Sequence, residues 1–124
     1  LGSLAASKNS PLGSWRIAAD NNTAVSLLEG MNNYKNSAVS YVEGPRLTLS
    51  EPTFVTEVQY NSTDYSGLDD AKKAAKNADV VVMMLGEHGF SSGEARSRTD
   101  ITLPGLQEEF LKEIYKVNPN FLNN

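Results

Sequence analysis

The sequence predicts an α/β domain with a mostly parallel sheet that is incomplete within this chain, and three observations predict it. Val80 to Leu85 is an uninterrupted apolar run closed by Gly86. A strand without alternation is expected to be buried on both faces, between helices. Segments of helical period flank that run on either side, so the elements read helix–strand–helix–strand–helix, the order of an α/β fold. Only two strands are evident, however. The chain opens in a loop and stops at Asn118-Pro119-Asn120-Phe121, where a further βα unit is expected. Val80–Leu85 is therefore short of neighbouring strands, and the domain alone is expected to be marginally stable.

Taken in order, residues 1–14 are rich in Gly, Ser, Asn and Pro and read as loop. Asn22 is placed to cap a helix over Thr23–Tyr34, with Val25, Leu28 and Met31 on one side. Ala38–Val42 is a short β-prone run ended by Gly44-Pro45. Arg46–Tyr65 lacks a sustained period and reads as a long surface excursion with a short edge strand near Phe54–Val58. A loop of that length points to a function or to a partner surface. Ser66 and Asp69 have the spacing of a capping box for a helix over Leu68–Asn77, whose Leu68, Ala71, Ala74, Ala75 and Ala78 form a flat face of small residues. Pro104 suits the first turn of a third helix, with Leu106, Phe110, Leu111, Ile114 and Tyr115 as its buried stripe.

Composition narrows the function classes. At 124 residues the chain holds one domain with a core of its own. Fifteen acidic against eleven basic residues give a formal charge of −4, and no basic cluster offers a track for phosphate backbones, so no nucleic-acid partner is expected. With no cysteine, disulfides, thiolate nucleophiles and Cys-based zinc sites are absent. The longest apolar run is far short of the roughly 20 residues that span a bilayer, so no membrane insertion is expected. Leu1-Gly2-Ser3-Leu4-Ala5 has neither the basic nor the apolar region of a signal peptide; an exported parent carries its signal upstream.

In open parallel sheets ligands bind beyond the carboxyl ends of the strands. Here that place is Gly86–Asp100, which gathers Glu87, Glu94, Arg96, Arg98, Asp100 and the only histidine, His88, around the small residues Gly89, Ser91, Ser92 and Gly93. The same composition describes a solvated loop with capping acids, and position alone balances the two readings. No G-x-S-x-G elbow, H-E-x-x-H helix, Walker loop or G-x-G-x-x-G is present, so neither a metal nor a nucleotide cofactor is expected. Carboxylate chemistry remains, and glycoside hydrolysis is the common reaction that runs on two carboxylates without a metal. Trp15, the sole tryptophan, reads from composition as a core residue.

Several stretches resemble the second domain of glycoside hydrolase family 3, particularly of the bacterial periplasmic β-glucosidase type. They are Leu4–Ser7, Pro11-Leu12-Gly13-Ser14-Trp15, Ala24–Gly30, Tyr41-Val42-Glu43-Gly44, Ala78–Glu87, Ser92–Thr102 and Leu103-Pro104-Gly105-Leu106-Gln107, in the family's order, with Arg46–Ser66 matching only loosely. The resemblance implies an incomplete α/β sandwich, without the strands before and after this stretch, packed beside an upstream TIM-like barrel that supplies the aspartate nucleophile. The second domain supplies the acid/base and part of the pocket for a β-glucoside or oligosaccharide. Glu87 falls on the strand-end glutamate that serves as acid/base in plant-type members, and Glu94, in Ser-Gly-Glu, on the acid/base of another branch. Both cannot hold one role; rigid placement two residues past the strand leans toward Glu87. Trp15 falls on a tryptophan that flanks the sugar, and His88 and Arg98 join it as substrate-binding candidates. The resemblance implies a piece of a retaining β-glucosidase of periplasmic or secreted type, inactive alone. The rival is a non-catalytic module that binds sugar or packs on a partner domain.

Overall fold

The computed structural model describes residues 1–123. In chain order the elements are 3₁₀ turns at Ser3–Ala6, Ser10–Leu12 and Arg16–Ala18, helix α1 (Leu27–Asn32), helix α2 (Leu68–Lys76), strand β1 (Val81–Met83), helix α3 (Gln107–Val117) and strand β2 (Phe121–Asn123). The sequence reading assigned no strand to 121–123. β2 runs parallel to β1, with Val81 opposite Phe121 and Met83 opposite Asn123. Two asparagines place it there. Asn118 Nδ2 donates to the Ala75 and Ala78 carbonyls, both at 2.8 Å, and so also satisfies the open end of α2. Asn120 Nδ2 donates to Asp79 O at 2.5 Å, and the Val81 N–H donates to Asn120 O at 3.1 Å. On the other edge of β1 the Leu1 amino group donates to Val82 O at 2.7 Å, and the Met84 N–H donates to Leu1 O at 3.0 Å.

The core explains why the apolar run is longer than the strand. Val81, Met83 and Leu85 are buried against Ala71 and Ala75 of α2 and Phe110 and Ile114 of α3. Alternate residues share one face of a strand, so both helices cover the same face of β1. Val82 and Met84, on the opposite face, are only half-buried, and Val80 is exposed. Burial on both faces, expected from the missing alternation, is thus corrected: one face is closed and the other is partly covered. Ala71 and Ala75 lie in that core and α2 packs closely on α3, while Ala74 and Ala78 are only half-buried. Gly44 shows how tight the corner is. Its φ is +74°, and a Cβ there would lie 2.5 Å from Cζ of Phe110; both conditions require glycine.

Several boundaries differ from the sequence reading. The first helix starts at Leu27, because Ser26 and Glu29 form a reciprocal capping box: Ser26 Oγ accepts the Glu29 N–H at 3.2 Å, and Glu29 accepts the Ser26 N–H at 2.9 Å. Asn22 adopts φ 63° outside that helix, and Val25 is exposed. No strand forms at 38–42 or 54–58; the excursion is joined instead by an antiparallel bridge between Thr48 and Tyr60. Ser66 does not cap α2. Its N–H and hydroxyl both go to Asp64 Oδ1, and the N-cap is Gly67 in the left-handed region. α3 begins three residues after Pro104, and Tyr115 lies on its exposed side.

α2 and α3 are also tied by charge. Glu113 accepts from Lys72 at 2.7 Å and from Lys116 at 2.5 Å, and these cations hold its carboxyl down at about 2. A depressed carboxyl binds its proton more readily in the unfolded chain, so this contribution is complete above the ordinary value of 4.5 and is lost as pH falls toward 2. We expect Glu113→Gln to lower the urea midpoint at pH 7. The gap between variant and wild type should shrink on acidification through that window; a gap that is constant with pH contradicts the ion pairs as its source.

Candidate active site

The loop that follows β1 is anchored at its first residue. Buried Gln107, the first residue of α3, grips Gly86 from both sides: Gln107 Oε1 accepts the Gly86 N–H, and Gln107 Nε2 donates to Gly86 O, both at 2.8 Å. The side chain also donates to Pro104 O at 2.9 Å. The direction of the chain into Glu87 is thereby set by the helix as well as by the strand. Glu87 is exposed, and its carboxylate is engaged by Arg98 Nη1, while Arg98 Nη2 donates to Thr102 O at 3.3 Å.

His88 is half-buried, and burial, reinforced by the nearby Arg16 charge and opposed by Glu51, pushes its imidazole below the usual histidine value of 6.5. Its Nδ1 accepts the Phe90 N–H at 3.1 Å. A neutral ring that accepts at Nδ1 carries its proton on Nε2, which leaves His88 with a donor for a ligand oxygen.

Phe90 is the hub on which three distant segments meet. The Arg16 guanidinium lies 4.3 Å from the Phe90 ring centroid, within cation–π range, Phe54 meets the ring edge-on at 5.9 Å, and the His88 ring lies at 5.2 Å. Gly89 N–H donates to Ser10 Oγ at 3.2 Å. The segment carrying Trp15 is thus packed beside the loop carrying both glutamates, and Trp15 itself is 78% exposed. Composition had placed Trp15 in the core; the exposed indole corrects that.

Glu94 is held differently from Glu87. The Arg96 N–H donates to Gly93 O at 3.1 Å, closing a turn with Glu94 at its outer corner. Gly93 has φ +108°, and a Cβ there would strike the hydroxyl of Ser14, so only glycine lets the turn sit against the Trp15 segment. Ala95 adopts φ 61°, an uncommon conformation for a residue with a side chain. On the far side Arg96 Nη2 donates to Phe54 O at 2.5 Å and to Thr56 O at 3.0 Å. The Glu94 carboxylate is exposed and has no hydrogen-bond or ion-pair partner among the described residues. The structure therefore carries Glu87, His88, Glu94 and Arg98 on one loop, against which the segment that leads into Trp15 packs.

Phe90, Tyr60 and Gln107 escaped the sequence reading, and Arg96 was noted only as one of the charges of the loop. Gln107 stood within a recognised stretch, but nothing in its spacing signals a grip on a strand end. No group of three or more His, Cys, Asp or Glu is arranged to hold a metal among the described residues.

Comparison with known proteins identifies the family. The sequence matches the family model described as the Glycosyl hydrolase family 3 C-terminal domain over residues 1–123. The chain belongs to that family. This family 3 domain is 32% identical over 120 residues to a periplasmic beta-glucosidase of Salmonella typhimurium, covering 90% of the chain and 16% of the relative. It is 30% identical over 93 residues to a beta-xylosidase of Formosa agariphila, covering 73% of the chain and 13% of the relative. A segment of 52 residues is 38% identical to a beta-xylosidase/alpha-L-arabinofuranosidase of Medicago sativa, covering 42% of the chain and 7% of the relative. The family 3 domain thus spans about a sixth or less of the length of these curated relatives, which are glycoside hydrolases. Its matched span includes the Arg46–Ser66 excursion, which motif comparison matched only loosely. No helix among the described residues is long and apolar enough to cross a membrane.

Proposed function

We propose that this family 3 domain supplies the acid/base and part of the sugar pocket of a retaining β-glucosidase, beside a barrel that carries the nucleophile elsewhere in the parent, and that it is an incomplete α/β sandwich with a mostly parallel sheet. The observation that carries the reading is the Glu94 corner: a free, exposed carboxylate on a turn anchored at both flanks, packed against the segment that leads into the exposed Trp15. A proton donor must meet the glycosidic oxygen at about 2.6–3.2 Å, and a carboxylate without another partner is the better placed to do so. Glu94 is therefore our acid/base. Glu87, engaged by Arg98, becomes a hydroxyl-binding group, which reverses the lean that sequence alone gave. Trp15 offers a flat face to a sugar ring, His88 Nε2 a donor, and Arg98 a guanidinium that fixes Glu87.

In a retaining mechanism the two carboxyl groups stand about 5–5.5 Å apart, so Glu94 faces the barrel's aspartate across a domain interface. The β-glucoside preference and a periplasmic address follow the relative that covers most of the chain. We expect the full-length parent to hydrolyse aryl β-glucosides faster than the matching β-xylosides, and the purified domain alone to hydrolyse neither. Turnover by the domain alone, abolished by mutating Glu87 or Glu94, contradicts the division of labour. A parent that binds glucosides without cleaving any glycoside puts the domain in the non-catalytic class.

A further inference from the structure

Tyr60 lies outside every stretch that marks the carboxylate loop, yet it touches that loop at three places. Its backbone is fixed by the bridge to Thr48 and by the neighbouring Asn61, which is 1% exposed. From there the half-buried side chain reaches under the loop. The Tyr60 hydroxyl accepts the His88 N–H at 3.3 Å and shares a short hydrogen bond with the hydroxyl of buried Ser91. The Tyr60 ring lies 5.8 Å from the Arg98 guanidinium, within cation–π range. These contacts fall on both sides of Glu94, at 88 and 91 before it and at 98 after it. They also include Arg98, the partner of Glu87.

We infer that Tyr60 is a positioning residue for the proton-donating carboxylate: it pins the two limbs of the Glu87–Arg98 loop to a buried support, so that the glutamate at its outer corner is presented at a fixed distance. The inference rests on the acid/base reading above. Misplacing a reacting group by about 1 Å costs up to about a hundredfold in rate, so a support of this kind shows in kinetics before it shows in folding.

The test uses the full-length enzyme and two leaving groups. Tyr60→Phe keeps the ring beneath Arg98 and removes the hydroxyl; Ser91→Ala removes the same contact from the other side. In each variant kcat/KM for a methyl β-glucoside, which needs proton donation, should fall about tenfold or more, while kcat/KM for a dinitrophenyl β-glucoside, which does not, stays within about twofold. A merely structural role lowers both equally. An equal loss on both substrates, or no loss on either, overturns the inference. Glu94→Gly is measured alongside. If it lacks leaving-group dependence while Tyr60→Phe shows it, Tyr60 keeps its role and the proton donor is Glu87. If Glu94→Gly shows the dependence and neither Tyr60→Phe nor Ser91→Ala does, the acid/base reading stands and the role of Tyr60 is refuted.

Discussion

Glu94→Gly in the full-length enzyme is expected to lower kcat/KM for alkyl β-glucosides by about 10²–10⁴-fold, the usual contribution of a positioned general acid. Activated aryl glucosides should be largely spared in kcat/KM, because their leaving groups depart without a proton. Their kcat should still fall, since the glycosyl-enzyme then lacks a base to activate water. Azide needs no base, enters the space left by the missing carboxylate and should restore turnover as the glycosyl azide. Glu87→Gly serves as the contrast. It frees Arg98 and removes a candidate hydroxyl contact, so it should weaken glucosides of both kinds and gain nothing from azide. If azide rescues Glu87→Gly instead, the two glutamates exchange roles, and the sequence's lean was the better guide.

The largest effect on stability is expected at a residue with no part in the chemistry. Asn61 is almost fully enclosed and uses its whole amide. Its Nδ2 donates to Arg46 O at 3.0 Å and to Asp64 O at 2.7 Å, and its Oδ1 accepts the N–H groups of Thr63 at 3.1 Å and Asp64 at 2.8 Å. The Asn61 backbone adds a bond to Leu47 O at 3.0 Å and receives the Leu106 N–H at 2.9 Å. Asn61→Ala removes the partner of four backbone groups at once; a buried, unsatisfied group costs about 1–3 kcal/mol, and the exposure of Arg46, Thr63 and Asp64 lets water offset part of that. We expect a loss of about 3 kcal/mol or more in urea unfolding, a large part of the roughly 5–15 kcal/mol that holds a typical domain. Asn61→Asp keeps the acceptor but loses both donors, and it should also destabilise. A loss under about 1 kcal/mol for Asn61→Ala would mean that water replaces the amide and the excursion is held elsewhere.

What was legible in the sequence follows from the range of each interaction. α2, β1 and α3 announce themselves because period and apolarity are local. Ala71 and Ala75, Val81 and Met83, and Phe110 and Ile114 are buried, as those patterns require. The start of α1 was misplaced although Ser26 and Glu29 carry the capping spacing, because Asn22 offered an equally plausible cap a few residues earlier. Ser66 and Asp69 carry the same spacing, yet Asp64 captures the serine. A spacing rule cannot report that competition. β2 was missed because its position depends on amides reaching from Asn118 and Asn120 back to the end of α2. At the candidate site, strand-end placement marked the loop of Glu87, His88, Glu94 and Arg98 as one of two balanced readings, and the resemblance supplied the roles. The supports at Tyr60, Phe90 and Gln107 stayed hidden, since each acts across the fold.

The Phe90 hub gives the site a thermodynamic character of its own. Gly89 and Ser10 stand 79 residues apart along the chain, and Arg96 and Phe54 stand 42 apart. Closing such loops costs configurational entropy that rises only slowly with length, about 0.6 kcal/mol for each doubling, but none of these contacts forms until distant segments have been brought together. The arrangement around Glu94 is therefore cooperative with the domain as a whole. It has little local stability to fall back on, so a lesion in the α2–β1–α3 core is felt at the carboxylate corner as well.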